Sequence, residues 1–250
     1  MFGADKMRNI MLTLCYDGTG YHGFQRQENG ITIQQVVETA IMKVTGEQVS
    51  ITGCSRTDAG VHAMKYICNF RTESSVPADK FCFALNSYMP DDVSCTASCE
   101  VDMDFHSRYS AKSKTYTYTI YNEPHKNPIL CRFAWHYPVK IDLNKMRQAT
   151  AHIIGTHDFT AFMATGGQQK TTVKTVNFLN IAEDGDRLVI EINADGFLYN
   201  MVRIIAGTLV YAGTGKINPD ALPEIIKSGD RTLAGITAPP QGLCLQEIFY

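Results

Sequence analysis

Nothing in this chain is long and apolar enough to serve as a leader or a membrane span. Residues 1–9 carry charge with no apolar run behind them. The most apolar helical stretch, 201–212, is too short for a bilayer and contains Arg203. Low-complexity tracts and long linkers are missing as well. The expectation is a soluble, cytoplasmic protein with no membrane partner. Eight cysteines are present but no C-x-x-C pair. Cys15, Cys54, Cys68, Cys82 and Cys131 stand in apolar or strand-like contexts, where a free thiol packs as a small hydrophobe. Cys95 and Cys99 have no matching His/Cys pair, and the seven histidines show no H-E-x-x-H spacing. No metal site and no disulfide framework are expected. The glycine-rich stretch D-G-T-G-Y-H-G-F-Q-R-Q at 17–27 fits neither the dinucleotide fingerprint nor the P-loop, because G-K-[ST] is absent.

An excess of one charge sign is also lacking: the net charge is −2. Distribution matters more than the sum. Residues 72–105 carry a local charge of −6, and residues 106–147 one of +6. The basic set is Arg108, Lys112, Lys114, Lys126, Arg132, Lys140, Lys145 and Arg147. It reads either as a solvated surface or as a face that meets phosphates, where each neutralised phosphate releases counterions.

What is present is a chain of 250 residues with 44% hydrophobic content, enough for one large domain or two small ones. Residues 9–16 alternate as a strand, with Ile10, Leu12 and Leu14 on one face. Thr32 can cap a helix over 33–44. Strands follow on both sides of residue 58, a second helix over 77–89 stops before Pro90, and 93–101 is a strand. This order, β-α-β-β-α-β, is that of a split ferredoxin-like unit. The second half repeats the plan loosely. It has a strand at 115–121, a helix at 143–154, a hairpin of 173–183 with 187–194, helices at 199–212 and 219–226, and a strand at 243–250. The expected class is α+β, a mixed, largely antiparallel sheet with flanking helices. The expected units are 1–105 and 106–250.

The most informative stretch is R-T-D-A-G-V-H-A at 56–63. Asp58 sits between Arg56 and His62, and Ala59-Gly60 can turn the chain. Strand-like runs at 49–55 and 64–70 flank it, so rigid elements would present a short charged loop. The same residues also fit an Asx-turn, with Asp58 bonding its own backbone and Arg56 solvated.

Arg203 lies in M-V-R-I-I-A, among apolar neighbours. A shielded guanidinium calls for a carboxylate or phosphate against it. Asp58 suits that role, because an arginine partner keeps a carboxylate ionised. Tyr116 follows Lys112 and Lys114 on a strand. Rings among cations suit nucleic acid, though a strand tyrosine also packs into cores. Gln25, Arg26 and Gln27 read equally as RNA contacts and as solvated loop residues. The glycines before them fit a close backbone approach to a polynucleotide. His157-Asp158 is read as a turn or cap, not as an acid/base pair.

Six blocks then stand in one order. They are Y-D-G-T-G-Y-H-G-F-Q-R-Q at 16–27, G-C-S-R-T-D-A-G-V-H-A at 53–63, H-S-R-Y-S-A-K-S-K-T-Y-T-Y at 106–118, G-T-H-D-F at 155–159, G-F-L-Y-N-M-V-R at 196–203 and A-P-P-Q-G-L-C-L at 238–245. Together they resemble the TruA-type tRNA pseudouridine synthases over nearly the whole chain. The resemblance implies two ferredoxin-like (RRM-like) halves in a pseudouridine synthase fold. It implies a homodimer that cradles tRNA and acts, without cofactor or metal, on uridines 38, 39 and 40 of the anticodon stem-loop. Asp58 would be the nucleophile, Arg203 its partner, Tyr116 the ring that stacks on uracil, and Arg56 an aid to entry of the flipped nucleotide. His62, Gln25, Arg26, Lys112, Lys114 and Leu245 complete the expected substrate-binding set. Ser55, Ser107, Lys114 and Lys174 are mild departures from the commonest family residues. Residues 1–8 read as an extension without a role.

Two further readings belong to other classes. One is a non-catalytic tRNA-binding or folding module on the same fold, which an altered acid would favour; the acid is intact. The other is a metal- or nucleotide-using enzyme built on the glycine-rich loop and His157-Asp158, for which the ligand spacing is missing.

Overall fold

The computed structural model describes residues 7–167 and 170–250. In chain order its elements are β1 (Arg8–Tyr16), α1 (Ile33–Thr45), β2 (Thr52–Gly53), β3 (His62–Thr72), α2 (Phe81–Asn86), β4 (Val93–Val101), β5 (Ser113–Tyr121) and β6 (Trp135–His136). Then come α3 (Leu143–Thr150), β7 (Gly155–Asp158), β8 (Val173–Asp184), β9 (Arg187–Ala194), α4 (Met201–Gly213), α5 (Leu222–Ser228) and β10 (Leu243–Phe249). Helices flanking antiparallel sheet make this an α+β protein, as the element order predicts. No helix among the described residues is long and apolar enough to cross a membrane.

The chain divides into two compact units: residues up to Lys112 with Leu245–Tyr250, and Ser113–Cys244. The division differs from the expected 1–105 and 106–250. Bonds far apart in sequence explain the shift. Ser107 donates both its N–H and its hydroxyl to Asn69 Oδ1, and Lys112 N–H donates to Phe249 O. Lys65 Nζ pairs with Glu247 at 2.6 Å, and Tyr250 Oη donates to Ser107 O. The last residues of the chain therefore belong with the first unit.

In the first unit the strands run β4-β1-β3-β2, all antiparallel, with β10 also beside β3. This is the ferredoxin-like order. The alternation of β1 decides its inner face: Ile10, Leu12 and Leu14 are fully buried. Thr32 caps α1 by accepting the Gln35 N–H, and Gly46, at φ +77, ends it in the left-handed conformation. Ile33, Val37, Ala40 and Ile41 form the buried stripe between those caps.

Three elements of this unit depart from the sequence reading. The helix expected over 77–89 is only Phe81–Asn86, after a 3-10 turn at Ala78–Lys80. It ends where the Asn86 amide turns to the Cys95 backbone, donating to its C=O and accepting its N–H. The strand expected over 49–55 pairs only at Thr52 and Gly53. Side chains take the backbone groups on either side: Glu38 Oε1 accepts the Ile51 N–H, and Tyr66 Oη donates to Ser55 O. The N-terminal extension is also shorter than 1–8. Arg8 opens β1, pairs with Glu100 at 2.9 Å and donates to Ser74 O and Val76 O. Residues 1–6 lie outside the described residues.

The second unit has an antiparallel sheet ordered β5-β9-β8-β7, with β6 parallel to β5. Gly185, at φ +64, turns the β8–β9 hairpin. Asp142 caps α3, which stops at Thr150, short of the expected 154. Residues 155–158 instead pair with β8 as β7. Asp158 Oδ1 then accepts both the N–H and the hydroxyl of Thr160, the cap expected of it. Helix α4 is buried along most of its length, including Ile204, Ile205, Ala206 and Leu209.

Candidate active site

Asp58 lies half-buried on the loop between β2 and β3, with Arg56 exposed two residues earlier. The turn at its tip is closed by Val61 N–H donating to the Asp58 carbonyl at 3.2 Å. Gly60 takes φ +77 within it, a conformation that glycine adopts without steric cost. Backbone groups close this turn. Thr57, beside it, is buried, with its hydroxyl 2.8 Å from Tyr16 Oη on β1.

The glycine-rich loop supports this turn from behind. Phe24 N–H donates to Thr57 O at 3.1 Å. A Cβ at Gly23 would stand 2.6 Å from the same oxygen, and Gly23 has φ +82. A Cβ at Gly18 would lie 2.0 Å from Val61 O. Both glycines are therefore needed where one loop's backbone meets the other's. Their close backbone approach here is to the Asp58 loop. The Phe24 ring stacks on Tyr66 at 4.2 Å, and Tyr66 Oη holds Ser55 O. Burial pushes the Tyr66 phenol well up, so it stays protonated and remains a donor.

His62 was expected at the substrate. It is buried beneath the glycine-rich loop, with Nδ1 3.0 Å from Gly18 N and 3.1 Å from Asp17 Oδ1. Neutral, it accepts from Gly18; protonated, it donates to Asp17. Either way its ring ties the loop to β3, a support the motif does not reveal. Gln25 is exposed. The Arg26 guanidinium lies 3.2 Å from Glu38, and the Arg26 backbone N–H donates to Gln34 Oε1. Gln27 Nε2 donates to His22 O. Lys112 is exposed and Leu245 fully buried on β10. An acidic cleft of about 540 Å³, lined by Glu100, Asp102 and Asp104, gathers part of the −6 segment.

In the second unit, Tyr116 lies on β5 opposite Ile192, 5% exposed, with its ring edge-on to Phe197 at 5.2 Å. Lys114, half-buried, stands two residues before it on the same strand face. Arg203 occupies the first turn of α4. Its Nε donates to Ala238 O at 2.7 Å and its Nη1 to Asn200 Oδ1 at 2.7 Å. Ala238 N–H donates back to Arg203 O at 3.1 Å. Asn200 has φ 60, the one positive φ outside glycine among the described residues. That strained turn aims its amide at Arg203, and such outliers gather at functional sites. Tyr118 Oη donates to Pro239 O at 2.7 Å. Burial raises the Tyr118 phenol far above its usual range, and the Arg203 cation opposes the shift. Strand β5 and helix α4 are thus both tied to Ala238-Pro239. Phe197, Asn200 and Ala238 were missed as individual residues, although they lie inside the motif blocks; only packing shows what each one holds. No cluster of three or more metal-ligating side chains occurs among the described residues.

The family model described as tRNA pseudouridine synthase matches residues 14–110 and 149–250. A tRNA pseudouridine synthase A of Thermoanaerobacter sp. (strain X514) is 50% identical over 98% of this chain and 100% of its own length. Proteins of the same name from Clostridium acetobutylicum and Geotalea uraniireducens (strain Rf4) are 48% and 46% identical over the same shares.

Proposed function

Because the chain belongs to the tRNA pseudouridine synthase family, we propose that it isomerises uridine to pseudouridine at positions 38, 39 and 40 of the tRNA anticodon stem-loop, with Asp58 as the nucleophile. Arg203 is its charge partner and Tyr116 the ring against the uracil. The observation that carries this reading is the Asp58 turn, closed by its own backbone and braced by a second loop through Gly18, Gly23 and His62. A nucleophile needs such fixed placement.

The reaction keeps every atom of the nucleotide. The bond from uracil N1 to ribose C1′ breaks, the base turns, and C5 bonds to C1′. C5 then loses its proton, and N1 gains one. Attack by the carboxylate at the sugar or at the base both require it ionised, and an arginine partner favours that form. The target nucleotide must leave its stack, which costs a few kcal/mol. Stacking on an aromatic returns about 1–3 kcal/mol. Two neutral acceptors, Ala238 O and Asn200 Oδ1, help to orient the Arg203 fork for this role. Arg56 is exposed, as an aid to nucleotide entry must be. The reading includes a cytoplasmic homodimer that needs no cofactor.

The test is tritium release from tRNA labelled at uracil C5. Wild type releases tritium, and Asp58→Asn should lose activity on the order of 10⁴-fold while still binding tRNA. Equal release by both proteins would remove Asp58 from the chemistry. Sedimentation of the free protein and of its tRNA complex tests the dimer.

A further inference from the structure

Arg231 lies in the second unit, in the loop after α5, outside every motif block. Its guanidinium grips two neutral oxygens: Nη1 donates to Gly235 O at 2.8 Å and Nη2 to Thr237 Oγ1 at 3.1 Å. The segment it grips lies directly on the backbone of α4. Gly235 N–H donates to Thr208 Oγ1 at 2.8 Å. A Cβ at Gly207 would stand 2.0 Å from Ile236 O, and one at Gly235 2.4 Å from Thr208 N. The next residue along is Ala238, which exchanges hydrogen bonds with Arg203 in both directions.

We propose that Arg231 is a positioning residue: by clamping Gly235 and Thr237 it sets the Ala238 carbonyl that orients the Arg203 guanidinium. A planar fork can hold two acceptors at once in a fixed geometry, and a lysine ammonium cannot reproduce it. Releasing the clamp frees the segment to slide along α4, and the Ala238 carbonyl moves with it. Misplacement by about 1 Å, far from the reacting atoms, can cost on the order of 100-fold in rate. Arg231 touches neither substrate nor reacting atoms in this scheme. The inference rests on the role of Arg203 proposed above, and the experiment separates the two.

Single-turnover pseudouridine formation at saturating enzyme, tRNA affinity and melting temperature are measured for Arg231→Ala, Arg231→Lys, Arg203→Ala and the double variant Arg203→Ala/Arg231→Ala. Arg231→Ala should slow the saturated rate about 10- to 100-fold with tRNA affinity unchanged. Arg231→Lys should not restore it, and it replaces the alanine variant if that protein does not fold. In the Arg203→Ala background the second substitution should add no further loss of rate, because the two act through one group. A wild-type saturated rate in a folded Arg231 variant overturns the proposal. So does weaker tRNA binding with an unchanged saturated rate, which would make Arg231 a phosphate contact. Losses that multiply in the double variant overturn it too, by placing Arg231 outside the Arg203 chain of bonds. A wild-type rate in Arg203→Ala would instead overturn the role of Arg203 itself.

Discussion

A Cβ at position 23 would stand 2.6 Å from the Thr57 carbonyl oxygen, on the turn that carries Asp58. Gly23 is also held at φ +82, which side chains rarely adopt. The residue that fixes the back of the proposed nucleophile's turn is thus one with no side chain. Gly23→Ala should cost about 1–3 kcal/mol from backbone strain, before any clash is counted. The saturated rate should fall further than tRNA affinity. Urea unfolding and single-turnover assays measure the two effects, and a variant as stable and active as wild type would remove the bracing role.

His62→Ala should act on stability before it acts on binding. It removes the acceptor for a buried Gly18 N–H, at a cost of about 1–3 kcal/mol. If His62 instead touched RNA, the variant would bind tRNA weakly while melting like the wild type. Comparing melting temperature with tRNA affinity decides between these.

The lysines before Tyr116 should set part of the salt dependence. Lys112 is exposed and Lys114 half-buried, one on each side of the boundary between the two units. If both meet phosphates, the double variant Lys112→Ala/Lys114→Ala should reduce the slope of log affinity against log salt by about 1 per lysine. An unchanged slope would mean that neither lysine meets a phosphate.

Asp158 supplies a pH prediction. Hydrogen bonds from the Thr160 and Thr172 hydroxyls hold its carboxyl below the usual carboxylate value. Its folded pKa is depressed, so its contribution is present above the unfolded value of about 3.9 and lost as pH falls through the folded one. Asp158→Asn should therefore melt below wild type at neutral pH, and the gap should close in acid. Melting curves across that range would refute the claim if the gap stayed constant.

Sequence alone determined much of the local structure. The alternation of Ile10, Leu12 and Leu14 marks β1, Thr32 marks the start of α1, and the run after Asp58 marks β3, because period and capping are local properties. The residue types for the chemistry were legible too: an acid between turn residues, an arginine on an apolar helix, a tyrosine beside lysines.

Tertiary structure decided the rest, because the deciding partners are remote in sequence. The run 49–55 alternates like a strand, yet Glu38 takes the Ile51 N–H and Tyr66 the Ser55 carbonyl, so its pairing with β3 stays short. Helix α2 ends where Asn86 finds Cys95. The unit boundary moved because Ser107 and Lys112 bond to Asn69 and Phe249. The contact of His62 with the glycine-rich loop, through Gly18 N–H, is not visible in the motif. The glycines of that loop, which fit a close backbone approach in the sequence, meet Thr57 and Val61 in the structure. A sequence shows which groups could bond; only the fold, by bringing distant backbone within 3 Å, selects which ones do.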